Sequence, residues 1–236
     1  MPDTPAHPVR EHLAIVASTL DLAESDITDL RRVLEVAAST VEQAQSETTR
    51  AHFTSDRRTA RTSLHSAAEM LAASRSASER GISLTIDIEE RLISTRQHLH
   101  SARTRAVALT ATGSLEPIRQ QAMVASIEEQ SRLVDLAAPL AQRARAHLLS
   151  VMEATGKLTT ADPDDSRHHQ VTYQLEQGIK AATRALTRAQ ESAAHLDRTI
   201  EVNRYAAHRS IDRAAAALPE AYSSESISRV VNGPAR

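Results

Sequence analysis

Eleven histidines and thirty carboxylates carry most of the chemical potential of this chain, and several of them stand four residues apart. The pairs are His52/Asp56, His65/Glu69, His208/Asp212, Glu191/His195, Asp164/His168 and Asp165/His169. On a helix such positions share a face, so each pair could offer two ligands to a transition metal. A di-iron bundle requires more, namely Glu-x-x-His motifs joined by further inward glutamates, and Glu-x-x-His occurs nowhere in the chain. The pairs also lie beside the apolar ladders described below rather than on them. That placement predicts exposed ion pairs and no metal site, with His98-x-His100 and His168-His169 as weak, adventitious metal binders at most.

Asp162-Pro163-Asp164-Asp165 is the sharpest acidic string. It resembles the D-x-D-D acid motif of class II terpene cyclases, enzymes that steady carbocations with several aromatic rings in much larger chains. Here the aromatic residues are Phe53, Tyr173, Tyr205 and Tyr222, too few for such a pocket, so the string reads as carboxylates complementing the positive end of a helix. Cysteine is absent, which removes disulfides, thiolate nucleophiles and Cys-ligated zinc. The five glycines, Gly81, Gly113, Gly156, Gly178 and Gly233, are too far apart to write a dinucleotide fingerprint, a P-loop or a nucleophile elbow. No catalytic residue, cofactor site or metal site is assigned from the sequence, and the chain reads as a non-enzyme.

Two features point to recognition. From Arg91 to Leu115 there is no acid, while Arg91, Arg96, Arg103 and Arg105 supply positive charge; a basic helix of this kind could track phosphates electrostatically. Asn203 interrupts an apolar ladder where a 4-4 step replaces the expected 4-3, between Ile200 and Ala207. A polar group at a core position can fix register or oligomeric state, because misalignment leaves it unpaired.

The elements that must position these residues are helices throughout. Alanine occurs 41 times, and arginine outnumbers lysine 26 to 2. An N-terminal segment, 1–24, holds a short helix opened by Pro8. A bundle over 25–155 follows, with helices about 26–52, 55–79, 82–111 and 115–155. Ser25 or Asp26 caps the first of these, and Gly81 ends the second as a C-cap would. Ile82 to Ile88 alternates like a strand but continues in helical spacing. Pro117 suits a first turn, and Pro139 is expected to kink its helix. A linker at 156–165 leads to a long helix over 166–218, followed by a flexible tail at 219–236. The fold class expected is all-α, an elongated antiparallel bundle or coiled coil of long alanine-rich helices.

Charge alternates along the chain, with net values of −6 over 1–56, +4 over 57–111, −3 over 112–165 and +3 over 166–236, as antiparallel neighbours would favour. Alanine knobs bring helix axes close but bury little surface per contact, so stability must come from length and partners. The function expected is that of a helical interaction or scaffolding protein acting through coiled-coil faces, with a protein partner or a second copy of itself. The alternatives are a nucleic-acid-associated protein using the 57–105 surface and a small-ligand sensor bundle. No targeting segment or membrane span is read, which predicts a cytoplasmic location.

Overall fold

The computed structural model describes residues 8–111, 116–156 and 168–218. Among the described residues it is an all-α bundle of four helices: α1 (Pro8–Phe53), α2 (Arg57–Ala111), α3 (Pro117–Gly156) and α4 (His168–Ala217). Among the described residues only Thr54, Ser55, Asp56, Glu116 and Leu218 lie outside a helix.

Two expected helix boundaries are absent, for physical reasons that can be named. α1 runs without interruption through Ser25 and Asp26, so there is no separate N-terminal helix. The buried ladder Leu20, Ala23, Ile27, Leu30 keeps its 3-4 spacing there. Ser and Asp on the outer face cost a helix only a few tenths of a kcal/mol, and continuous burial outweighs that. α2 likewise runs through Gly81. A Cβ on Gly81 would stand 3.1 Å from Leu148 Cδ1 and 3.5 Å from Leu30 Cδ1. The glycine therefore serves close packing of α2 against two fully buried leucines rather than a helix end. The alternating stretch Ile82 to Ile88 is helical, as expected.

The one described break between helices falls at Thr54–Asp56, and Asp56 makes it. Its carboxylate accepts from the Arg58 backbone N–H (3.2 Å) and the Thr59 backbone N–H (3.1 Å), and also from the Thr59 hydroxyl. These are the donors that a helix start leaves unsatisfied. The Thr59 hydroxyl, followed by the two N–H groups, holds the Asp56 carboxyl below its ordinary value. At the next start Pro117 occupies the first helical position, where its missing N–H costs nothing. α3 continues through Pro139, which lies on the exposed face. The 162–165 string, the 219–236 tail and most of the 156–165 linker lie outside the described residues.

The chain divides into two compact units, each built from a piece of all four helices. Unit 2 comprises 23–90 and 137–199. Its interior is apolar, with Leu30, Leu34, Leu64, Leu71, Ile88 and Leu148 almost wholly buried among alanines. Ser74 on α2 donates to the Ala37 carbonyl on α1 at 3.1 Å. Buried Thr48, Ser78, Thr85 and Thr155 each donate to a carbonyl one turn back, the usual way for a small hydroxyl to satisfy itself inside a helix. Ion pairs Arg31–Asp197 (2.8 Å) and Arg145–Glu89 (3.3 Å) edge this unit.

Unit 1 comprises 1–22, 91–136 and 200–236. Val9, Leu13, Val16, Leu20, Leu99, Met123, Ile127 and Ile200 fill its interior. It also carries most of the residues singled out from the sequence.

Candidate functional site

The four arginines of interest are all in unit 1, but they do not form one basic face. At about 100° per residue, Arg96 and Arg103 project within about 20° of each other, whereas Arg91 and Arg105 point about 140° and 180° away from Arg96. Arg96 pairs with Asp135 of α3, and Arg103 Nε lies 2.8 Å from Glu128 Oε1, also on α3. These residues, with His100, Ser131 and Arg132, line an open groove of about 400 Å³ between α2 and α3. Arg91 is half-buried and engaged, and Arg105 is exposed. Arg105 acts on His12 of α1. Carboxylates of α3 therefore already neutralise the two arginines that share a direction.

Asn203 is fully buried, so this part of α4 faces the interior and not solvent. The expected change of phase after it does not occur. The buried ladder runs Leu196, Ile200, Asn203, Ala207, Ser210, Ala214, Ala217, an unbroken alternation of 4 and 3. Ile211, expected on the ladder, is only half-buried beside it. Helix geometry has placed a serine in the core and an isoleucine at its edge.

Asn203 has polar company in unit 1. Thr95, Gln130 and Ser210 are all fully buried. Among the described residues no hydrogen bond reaches Thr95 Oγ1, Gln130 Nε2, Gln130 Oε1 or Ser210 Oγ. Two other polar side chains there are satisfied: Ser126 donates to the Met123 carbonyl (2.8 Å), and Gln120 Nε2 donates to the Ala106 carbonyl (2.9 Å), tying α3 to α2.

The histidine–acid pairs behave as exposed surface where they are described. His65 Nε2 lies 3.4 Å from Glu69 Oε1, with both side chains largely in solvent. His52 packs edge-on against Phe53 at 5.1 Å between ring centroids, while its expected partner Asp56 caps α2. Among the described residues no three His, Cys, Asp or Glu side chains group to hold a metal. The side chains of His168 and His169 lie outside the described residues. A contact that the sequence did not suggest joins His12 of α1 to His98 of α2, with Nδ1 atoms 3.0 Å apart and ring centroids 5.3 Å apart. These residues are 86 apart in the chain, so no local spacing signals the pair.

The α3–α4 side of unit 1 bears part of its exposed apolar surface; Leu22, Ile93, Val107 and Ile118 are exposed elsewhere in the unit. Arg209 Nη2 approaches Glu129 Oε1 at 3.8 Å, and the Arg209 guanidinium lies over the Tyr205 ring, 5.1 Å from its centroid. One heptad from Glu129 on α3 is Leu136, and one heptad from Arg209 on α4 is Val202. Leu136 is 62% exposed, Val202 51% and Tyr205 67%. The signal for this site was present in the sequence as apolar residues off the buried ladder. An aromatic ring, two aliphatic side chains and charges of both signs provide recognition chemistry rather than bond-making chemistry, and Tyr and Arg are over-represented at binding hot spots.

No protein-family model matches the chain, and comparison with curated proteins and with solved structures returns no match. No described helix is long and apolar enough to cross a membrane.

Proposed function

We propose that this chain is a non-enzymatic interaction protein, an antiparallel coiled-coil bundle that associates with a second copy of itself through the α3–α4 side of unit 1. The observation that carries the reading is the exposed set Leu136, Val202 and Tyr205 beside Arg209 and Glu129. A two-fold interface must be self-complementary. An apolar centre with an arginine and a glutamate at its edge meets that condition in charge, since each copy would present both signs to the other. The antiparallel, seven-residue character is supported within each unit. In unit 2 a step from Leu30 to Ala37 on α1 matches a step back from Gly81 to Ser74 on α2. In unit 1 a step from Arg96 to Arg103 on α2 matches one from Asp135 back to Glu128 on α3.

Sedimentation equilibrium on the wild type and on the double variant Leu136→Glu, Val202→Glu tests the reading. Both positions are more than half exposed, so the folded monomer should tolerate the change to within about 0.5 kcal/mol per site. The expected result is a wild-type dimer and a monomeric variant of unchanged helix content. A wild type that stays monomeric, or a variant that stays dimeric, overturns the proposal.

A further inference from the structure

The contact between His12 and His98 is made by two imidazoles, rings whose nitrogens can each hold or lack a proton. An Nδ1-to-Nδ1 separation of 3.0 Å is a hydrogen bond only when one ring carries its proton on Nδ1 and the other presents a bare nitrogen there. At least one imidazole must therefore be neutral. When both are protonated, two donors and two positive charges face each other at contact distance, and the bond becomes repulsion. The charged and titratable surroundings reinforce this. His98 and Arg105 come from α2 and Glu11 from α1. Elsewhere in the unit, Glu128 and Asp135 of α3 pair with Arg103 and Arg96, and Arg204 of α4 pairs with Asp21 of α1 at 2.7 Å, so none of these adds a free charge to the pair. Arg105 thus adds positive charge beside the pair, which disfavours a bound cation as well as a second proton.

We propose that the His12–His98 contact is a pH-sensitive clasp that holds α1 to α2 in unit 1 and releases on acidification. The unit is suited to opening there, because the buried polar groups of Thr95, Gln130 and Ser210 have no hydrogen-bond partner among the described residues and regain water when the helices part. The titration runs in the same sense. Burial, then Arg105 and His98, hold the His12 imidazolium below its ordinary value, against an opposing pull from Glu11. A histidine whose folded value is depressed binds fewer protons folded than unfolded. Its stabilising contribution is present above the ordinary histidine value and is lost as pH falls toward the folded one.

Hydrogen exchange followed by mass spectrometry on the full chain, corrected for intrinsic rates, provides the test at pH values about one unit either side of ~6.5. Residues 8–22 and 91–111 are expected to lose protection at the lower pH, by more than 23–53 and 168–199 do. His98→Gln, whose amide can still donate to His12 Nδ1 but cannot be charged, should keep the neutral-pH protection and weaken the pH dependence, leaving only the part that burial and Arg105 impose on His12. If that variant fails to fold, His12→Gln replaces it. In His98→Gln, NMR titration of His12 gives a second readout, which should move toward the ordinary histidine value. A wild type with no pH dependence, a variant with the wild-type dependence, an equal loss in both units, or an unmoved imidazole titration overturns the clasp.

Discussion

Gln130 sits fully buried in α3, and neither Nε2 nor Oε1 meets a hydrogen-bond partner among the described residues. Replacing it with methionine keeps the unbranched chain and its length while removing both polar atoms. An unsatisfied buried donor or acceptor costs about 1–3 kcal/mol, and an apolar group of similar shape removes that cost. With two such groups, and some relief already taken by relaxation of the surroundings, Gln130→Met is expected to stabilise unit 1 by about 2–3 kcal/mol. For a chain of this size each kcal/mol moves Tm by about 2–4 °C, so the variant should melt roughly 4–12 °C higher. Thermal and urea unfolding by circular dichroism, with exchange protection over 120–134, measure it. Gln130→Glu provides the opposite arm, because a charge at the same place has no countercharge and should destabilise by more than the methionine gains. A lower Tm for Gln130→Met would refute the reasoning, since it would mean that the amide's hydrogen bonds are made and contribute to stability.

Asp56→Ala should destabilise the protein, as loss of an N-cap carboxylate does, and should fray the start of α2. The Asp56 carboxyl is held below its ordinary value by the donors of Thr59 and Arg58. Its contribution is therefore present above the ordinary carboxylate value and is lost as pH falls through the folded one. The gap between wild type and Asp56→Ala in acid melts should accordingly close at low pH. Gly81→Leu should destabilise by several kcal/mol, because the first added carbon already stands 3.1 Å from Leu148 Cδ1 and there is no room for three more. Gly81→Ala should change stability by less than about 1 kcal/mol, with helix propensity offsetting a small shift of Leu148. Urea melts of the two variants decide it, and equal stabilities would show that α2 does not pack closely there.

Helix content and the start at Pro117 were legible because they depend on local chemistry, apolar spacing and a ring that fixes φ, whereas the phase slip after Phe53 fitted a break and a stutter in one rod equally well. The errors came where tertiary packing overrides a local signal. Ser25 and Asp26 look like a cap, and Gly81 looks like a helix end. In each case a neighbouring helix buries the adjoining residues and makes continuity the lower free energy. Pattern reading lacks that information, since it does not know that Leu30 and Leu148 both close on Gly81.

The sites show the same division more sharply. A count of bases over 91–105 suggests a phosphate-binding face, yet charge along a sequence becomes a surface only after rotation around the helix. Two of the four arginines point elsewhere, and α3 supplies carboxylates to the other two. The alternating segment charges that favoured side-by-side helices are thus satisfied inside the bundle, which leaves less charge for an outside partner. The reverse holds for polarity in the core. Asn203 drew notice as a break in an apolar ladder, and it is buried as a register-setting residue would be. It is one of several polar groups buried in unit 1, with Thr95, Gln130 and Ser210. Ser210 is the clearest instance, buried while Ile211 is turned to the edge. A ladder that accepts a serine over an adjacent isoleucine is held by packing along the whole helix, with local hydrophobicity yielding to it. Unit 1 therefore combines an apolar interior interrupted by buried polar groups, a histidine contact between α1 and α2, and exposed apolar residues on α3 and α4.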